Sequence, residues 1–196
     1  MARNIRYLSH PQVLIDPAKD VRNWSLSNIG ARRVQNLIAS NALSGTATIV
    51  SSAETKATET AIPLADACGA ALIIREVMHE NDRSATGYLP PAEFEAVADQ
   101  FFSEPDQSVR GWETANSAQK RIVGEVQKCL RDYPRDDLLF VGHGAVGTLL
   151  YCFLAGTPIN RKFDQGPNGG GCYLEFSGVV GGFVSWWRPM EDLVSR

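Results

Sequence analysis

Apolar positions along the chain switch between two rhythms: short unbroken runs, and longer stretches in which they return every three or four residues. That alternation predicts strands interleaved with helices. Ile5 to Ser9 is the first run and ends at His10; Leu138 to Gly142 is another and ends at His143. Thr46–Ser51 and Ala71–Ile74 are two further runs. Pro11 to Asn23 reads as loop, and a helix is expected from Ser27, whose hydroxyl can cap a segment carrying Ile29, Val34, Leu37 and Ile38 at helical spacing. Ser52 is the expected cap of the next helix, with Glu54 in its first turn and Ala57, Ala61, Leu64, Ala65 and Cys68 on one face. Pro63 should bend that helix and Gly69 should close it.

The stretch from Glu76 to Gly111 is less regular and reads as a loop plus a helix at about Pro91–Phe102. Ala115, Ala118, Ile122, Val123, Val126 and Leu130 then fit a long amphipathic helix that feeds the Leu138–Gly142 strand. A helix over Gly144–Leu154 follows, and then a hairpin of Cys172–Phe176 and Phe183–Trp187 turned at Gly178 to Gly182. Strands alternating with helices imply an α/β three-layer sandwich, a mainly parallel sheet with helices on both faces. A length of 196 residues fits one domain over 1–196.

Composition narrows the partners. A formal charge of −3 without basic blocks argues against an extended nucleic-acid surface, so any anion site has to be local. No apolar run reaches the roughly 18–20 residues of a membrane span, and the first residues lack a signal-peptide pattern, so a cytoplasmic protein is expected. Cys68, Cys129, Cys152 and Cys172 are widely spaced in apolar contexts, as free thiols rather than disulfides or a zinc site. H-E-x-x-H and G-x-S-x-G are both missing, so neither a zinc nor a serine-hydrolase motif offers itself, and no cofactor is implied. The oligomeric state is left open, with a homodimer as one option.

Two of the three histidines, His10 and His143, end buried strands, where open α/β sheets bind ligands. Gly142-His143-Gly144-Ala145-Val146-Gly147 has the glycine spacing of a dinucleotide loop, with Asp164 downstream. It falls too late in the chain for the rest of such a fold. Its physical content survives: Gly144 permits close backbone approach, and a helix N-terminus favours an anion. Nucleophilic or phosphoryl chemistry on imidazole is what remains.

The order His10, then Ser51-Ser52-Ala53-Glu54-Thr55-Lys56-Ala57-Thr58-Glu59-Thr60-Ala61, then Glu80, then Val141-Gly142-His143-Gly144 resembles the histidine phosphatase superfamily, to which phosphoglycerate mutases belong. Leu26-Ser27-Asn28-Ile29-Gly30 looks like that family's L-T-x-x-G helix entry. The resemblance implies a phosphoglycerate mutase-like fold and a phosphomonoester hydrolase working without a metal on a small phosphorylated substrate. His10 would become a phosphohistidine, His143 would hold phosphoryl oxygens, and Glu80, kept protonated by burial, would protonate the leaving group. Mutase-type phosphotransfer and a degenerate, non-catalytic anion-binding module are the alternatives.

The chain departs from the family at its phosphate clamp. Ser9-His10-Pro11 stands where the family has Arg-His-Gly, and Lys56 stands where it has an arginine. A guanidinium offers phosphate a planar fork, lysine a point charge and serine one neutral donor. The expected phosphate-binding set is therefore Ser9, Lys56, Arg83 and Gly144, with Arg83 restoring charge from the loop after Glu80. Tyr88, Phe94, Phe101, Phe102 and Trp112 suggest an apolar wall near the mouth and fit a core equally well.

Overall fold

The computed structural model describes residues 3–167, 169–178 and 181–193. Six strands form one sheet: β1 (Ile5–Ser9), β2 (Thr48–Ser52), β3 (Ala71–Arg75), β4 (Leu138–Gly142), β5 (Cys172–Glu175) and β6 (Arg188–Pro189). Their order is β3-β2-β4-β1-β5-β6. The first four strands of that order run parallel, whereas β5 lies antiparallel to β1 and to β6. The helices are α1 (Asn28–Ala39), α2 (Thr55–Cys68), α3 (Pro91–Ser103), α4 (Ala115–Asp132) and α5 (Gly144–Leu154).

Alternation along the strands divides the core in two. Tyr7, Val50, Leu138, Phe140 and Leu174 face α3, α4 and α5, while Leu8, Ile49, Leu139, Val141 and Tyr173 face α1 and α2. Phe101, Phe102 and Trp112 are buried in the first of these layers, so they are core rather than a mouth wall. Trp24 and Tyr88 form an aromatic pair instead, with ring centroids 6.1 Å apart.

Local chemistry explains most boundaries. The Ser27 hydroxyl accepts the Gly30 N–H and caps α1. Gly69 closes α2 in the left-handed region, at φ 63°. Two expectations shift. Glu54, not Ser52, is the N-terminal cap residue of α2, because Ser52 still belongs to β2 and pairs with Arg75. The second strand of the hairpin is Arg188–Pro189, with Phe176 and Val184 joined only by an isolated bridge. Val179 and Val180 of the expected turn lie outside the described residues. Pro63 sits inside an α2 that runs on to Cys68. All four cysteines are free. Among the described residues no helix is long and apolar enough to cross a membrane.

Candidate active site

Because β1 and β4 are parallel neighbours with Ser9 opposite Gly142, His10 and His143 leave the sheet side by side. The His10 N–H donates to the Gly142 carbonyl at 2.9 Å, and the two imidazoles meet edge to face with centroids 5.2 Å apart. Tyr7 fixes the second of them. Its hydroxyl donates to the His143 carbonyl at 2.9 Å and accepts the His143 N–H at 2.8 Å. Gly142 is required here, since a Cβ would stand 2.3 Å from the Tyr7 hydroxyl oxygen.

His10 Nδ1 lies 2.9 Å from the Pro11 carbonyl. A carbonyl can only accept, so Nδ1 carries the proton and Nε2 keeps its lone pair. Burial, with the Lys56 charge adding to it, pushes the His10 pKa down to about 4. The ring is thus neutral, with a defined tautomer and an Nε2 lone pair. It stands on the wall of a cavity of about 500 Å³ that Glu54, Lys56, Glu80, Asn81 and Arg83 also line.

Lys56 reaches this cavity from the first turn of α2, as expected, but not as a free cation. Its Nζ donates to the Val21 carbonyl at 2.7 Å and is ion-paired with Glu54, both side chains being buried. Glu54 also accepts the Glu80 N–H at 2.9 Å and comes within 3.7 Å of His143 Nε2. Glu80 accepts N–H groups from Asn81, Ala145 and Val146 at 3.1, 3.2 and 3.0 Å. Burial raises the Glu80 pKa and the nearby Glu54 charge adds to the rise, against the pull of those N–H donors. Arg83 stacks its guanidinium over Phe94 at 4.8 Å. Burial pulls its pKa down, and the carboxylates of Glu80 and Glu54 act in the opposite sense.

Three of the sequence-predicted residues do not reach the cavity wall. Ser9 is fully buried between β1 and β5, donating to Gln165 Oε1 at 2.5 Å and accepting the Cys172 N–H at 3.0 Å. Gly144 packs against Gln165, and the N–H groups that follow it at the start of α5 already meet the Glu80 carboxylate. The helix terminus predicted to hold phosphate therefore holds an acid of the chain itself. His143 is fully buried beside His10, its Nε2 covered by the Ser52 hydroxyl at 2.8 Å and its Nδ1 buried without a hydrogen-bond partner among the described residues. Burial holds it well below the usual histidine range.

Two contributors escaped the sequence reading. Glu54 was visible inside the Ser51–Ala61 segment, next to the lysine it neutralises, but reads from sequence as an ordinary first-turn acid. Arg121 on α4 had no local signal at all. Its guanidinium donates to the carbonyls of Val77, His79 and Glu80 at 2.7, 2.9 and 3.3 Å and pairs with Glu113, so it pins the segment that presents Glu80.

The profile of the histidine phosphatase superfamily (branch 1) matches residues 16–187, and the chain belongs to that superfamily. The match begins downstream of His10. A comparison with curated proteins returns no significant match. Among solved structures, the mycobacterial glucosyl-3-phosphoglycerate phosphatase is similar at TM-score 0.79 and 17% identity, covering 100% of both chains. A histidine-to-alanine mutant of the Entamoeba histolytica phosphoserine phosphatase, in complex with phosphoserine, is similar at TM-score 0.77 and 14% identity, covering 98% of this chain and 100% of that one. Bacillus stearothermophilus YhfR is similar at TM-score 0.77 and 18% identity, covering 94% and 95%. The three share the phosphoglycerate mutase-like fold with this chain.

Proposed function

We propose that the protein is a metal-independent phosphatase of small phosphorylated substrates that works through a phosphohistidine on His10. The observation that carries this reading is the His10 ring on the cavity wall, with Nδ1–H donated to Pro11 and the Nε2 lone pair left for attack. Family membership and the phosphatase activities named for two of the structural relatives support it. In the first step Nε2 forms a bond to phosphorus while the bond to the leaving oxygen breaks, and Glu80 gives that oxygen its proton. In the second, water attacks phosphorus, Glu80 takes the proton back, the N–P bond breaks and phosphate leaves. Arg83 and the Asn81 amide are the cavity groups best placed by charge and chemistry to stabilise the equatorial oxygens.

Replacement His10→Ala should abolish turnover of a nitrophenyl phosphate and 32P labelling of the protein, whereas a chelator should leave both intact. Activity lost with chelator and restored by a divalent ion would sink the mechanism. Glu80→Gln should slow alkyl phosphates by about 100-fold to 10,000-fold and nitrophenyl phosphates far less, because the latter need little protonation. The Lys56–Glu54 pair favours a second reading, a non-catalytic anion-binding module. Absence of any aryl phosphate turnover, with phosphate binding kept, would select it.

A further inference from the structure

Charge in the cavity is not what a doubly charged phosphate requires. Its lining carries Arg22, Lys56 and Arg83 against Asp20, Glu54, Glu76, Glu80 and Asp82. Arg22 is committed to Asp20 in an exposed pair, and Lys56 is committed to Glu54 in a buried one. Arg83 is left as the cation beside His10 whose guanidinium rests on an aromatic face rather than a carboxylate. A second donor is uncharged: Asn81 Nδ2 is buried on the cavity wall with no hydrogen-bond partner among the described residues. The acid that neutralises Lys56 stands at the start of α2, 3.7 Å from the Nε2 of His143 after β4, and accepts the Glu80 N–H from the loop after β3.

We propose that this pocket is built for a singly charged phosphoryl group, a phosphodiester or the monoanion of a monoester, and that Glu54 is the residue that sets this preference. The inference rests on the phosphatase reading above and deepens it. Glu54 consumes the lysine charge that a dianion would use, and its own charge repels the second negative charge of a dianion in a site where water screens little. With Arg22 and Lys56 each paired and Glu76, Glu80 and Asp82 also on the wall, Arg83 and the neutral Asn81 donor suit a monoanion better than a dianion. With a diester the chemistry is unchanged: Nε2 bonds to phosphorus, one ester oxygen leaves with the Glu80 proton, and water then releases the monoester.

Tungstate and perrhenate are tetrahedral oxyanions carrying two charges and one, and they test this by calorimetry on the full chain at pH 8. The wild type should bind perrhenate at least as tightly as tungstate, and Glu54→Gln should tighten tungstate by about tenfold or more while moving perrhenate by less than about threefold. Wild-type preference for tungstate by more than tenfold overturns the proposal, as does a Glu54→Gln protein that binds both anions more weakly, since Glu54 would then be a brace for Lys56. Should Glu54→Gln fail to fold, the wild-type ratio still decides, and a Glu54→Leu, Lys56→Met double variant, which removes the pair together, should keep the preference for perrhenate. Binding of neither anion, together with no labelling of His10, removes the phosphatase reading itself and this proposal with it. Turnover then separates the two sources: bis(nitrophenyl) phosphate hydrolysed faster than nitrophenyl phosphate at pH 8 identifies a diester site, and the reverse, with rates rising as the monoester is protonated below pH 7, identifies a monoanion site. Monoester turnover that rises with pH through the ionisation of the substrate contradicts both.

Discussion

At the scale of single residues, His10 makes the most exposed claim. Its folded pKa of about 4 lies below the ordinary 6.5. Between those two values an unfolded chain takes up a proton that native His10 refuses, so this group lowers stability as pH falls from 6.5 to about 4 and adds nothing further below that. The same shift keeps the His10 ring unprotonated in mild acid. The acid limb of kcat/KM should therefore fall near pH 4, and the His10 ring signals in NMR should titrate there; a midpoint near 6.5 would contradict the buried neutral imidazole. Both strand-end histidines were legible in the sequence because each follows a recognisable apolar run, whereas Glu80 and Lys56 stood out only through the family resemblance. What could not be read was where their polar atoms go. Ser9 lies one residue before His10 yet faces Gln165, a contact made across 156 positions.

At the scale of elements, the site depends on two close approaches. Gly30 on α1 lies under the loop that carries His10, and a Cβ there would meet the Gln12 carbonyl at 2.2 Å. Gly30→Ala should push that loop off its seat, cutting kcat by more than tenfold for a loss of about 1–3 kcal/mol in stability, read by turnover and urea titration. Arg121 does the equivalent work for the loop after β3. Arg121→Met leaves three carbonyls and Glu113 without their cation, and should cost about 1–3 kcal/mol. Because Glu80 would lose its position rather than its chemistry, turnover of alkyl phosphates should fall more than that of nitrophenyl phosphates. Equal losses on both would make Arg121 a stability residue only. The strands and helices themselves were legible from periodicity, and the exceptions have physical causes. Ser52 kept its place in the ladder of β2, and the last strand of the sheet is two residues long, too short to leave a pattern.

At the scale of the whole molecule, sheet order decides when the site can exist. Among the described residues, β1 is flanked by β4 and β5, and both come from the last third of the chain. Loop closure over such separations makes parallel pairing slow, and the order of synthesis delays it further. A ribosome adding about 5–20 residues per second holds the apolar segment Ile5–Ser9 without a strand partner for roughly 6–26 s before Leu138–Gly142 appears. Nascent chains halted before that strand should be protease-sensitive and bind holdase chaperones, and protection should appear once residue 142 has cleared the exit tunnel. The register that sets His10 beside His143 thus also makes the newborn chain a client of whatever shields hydrophobic segments during translation.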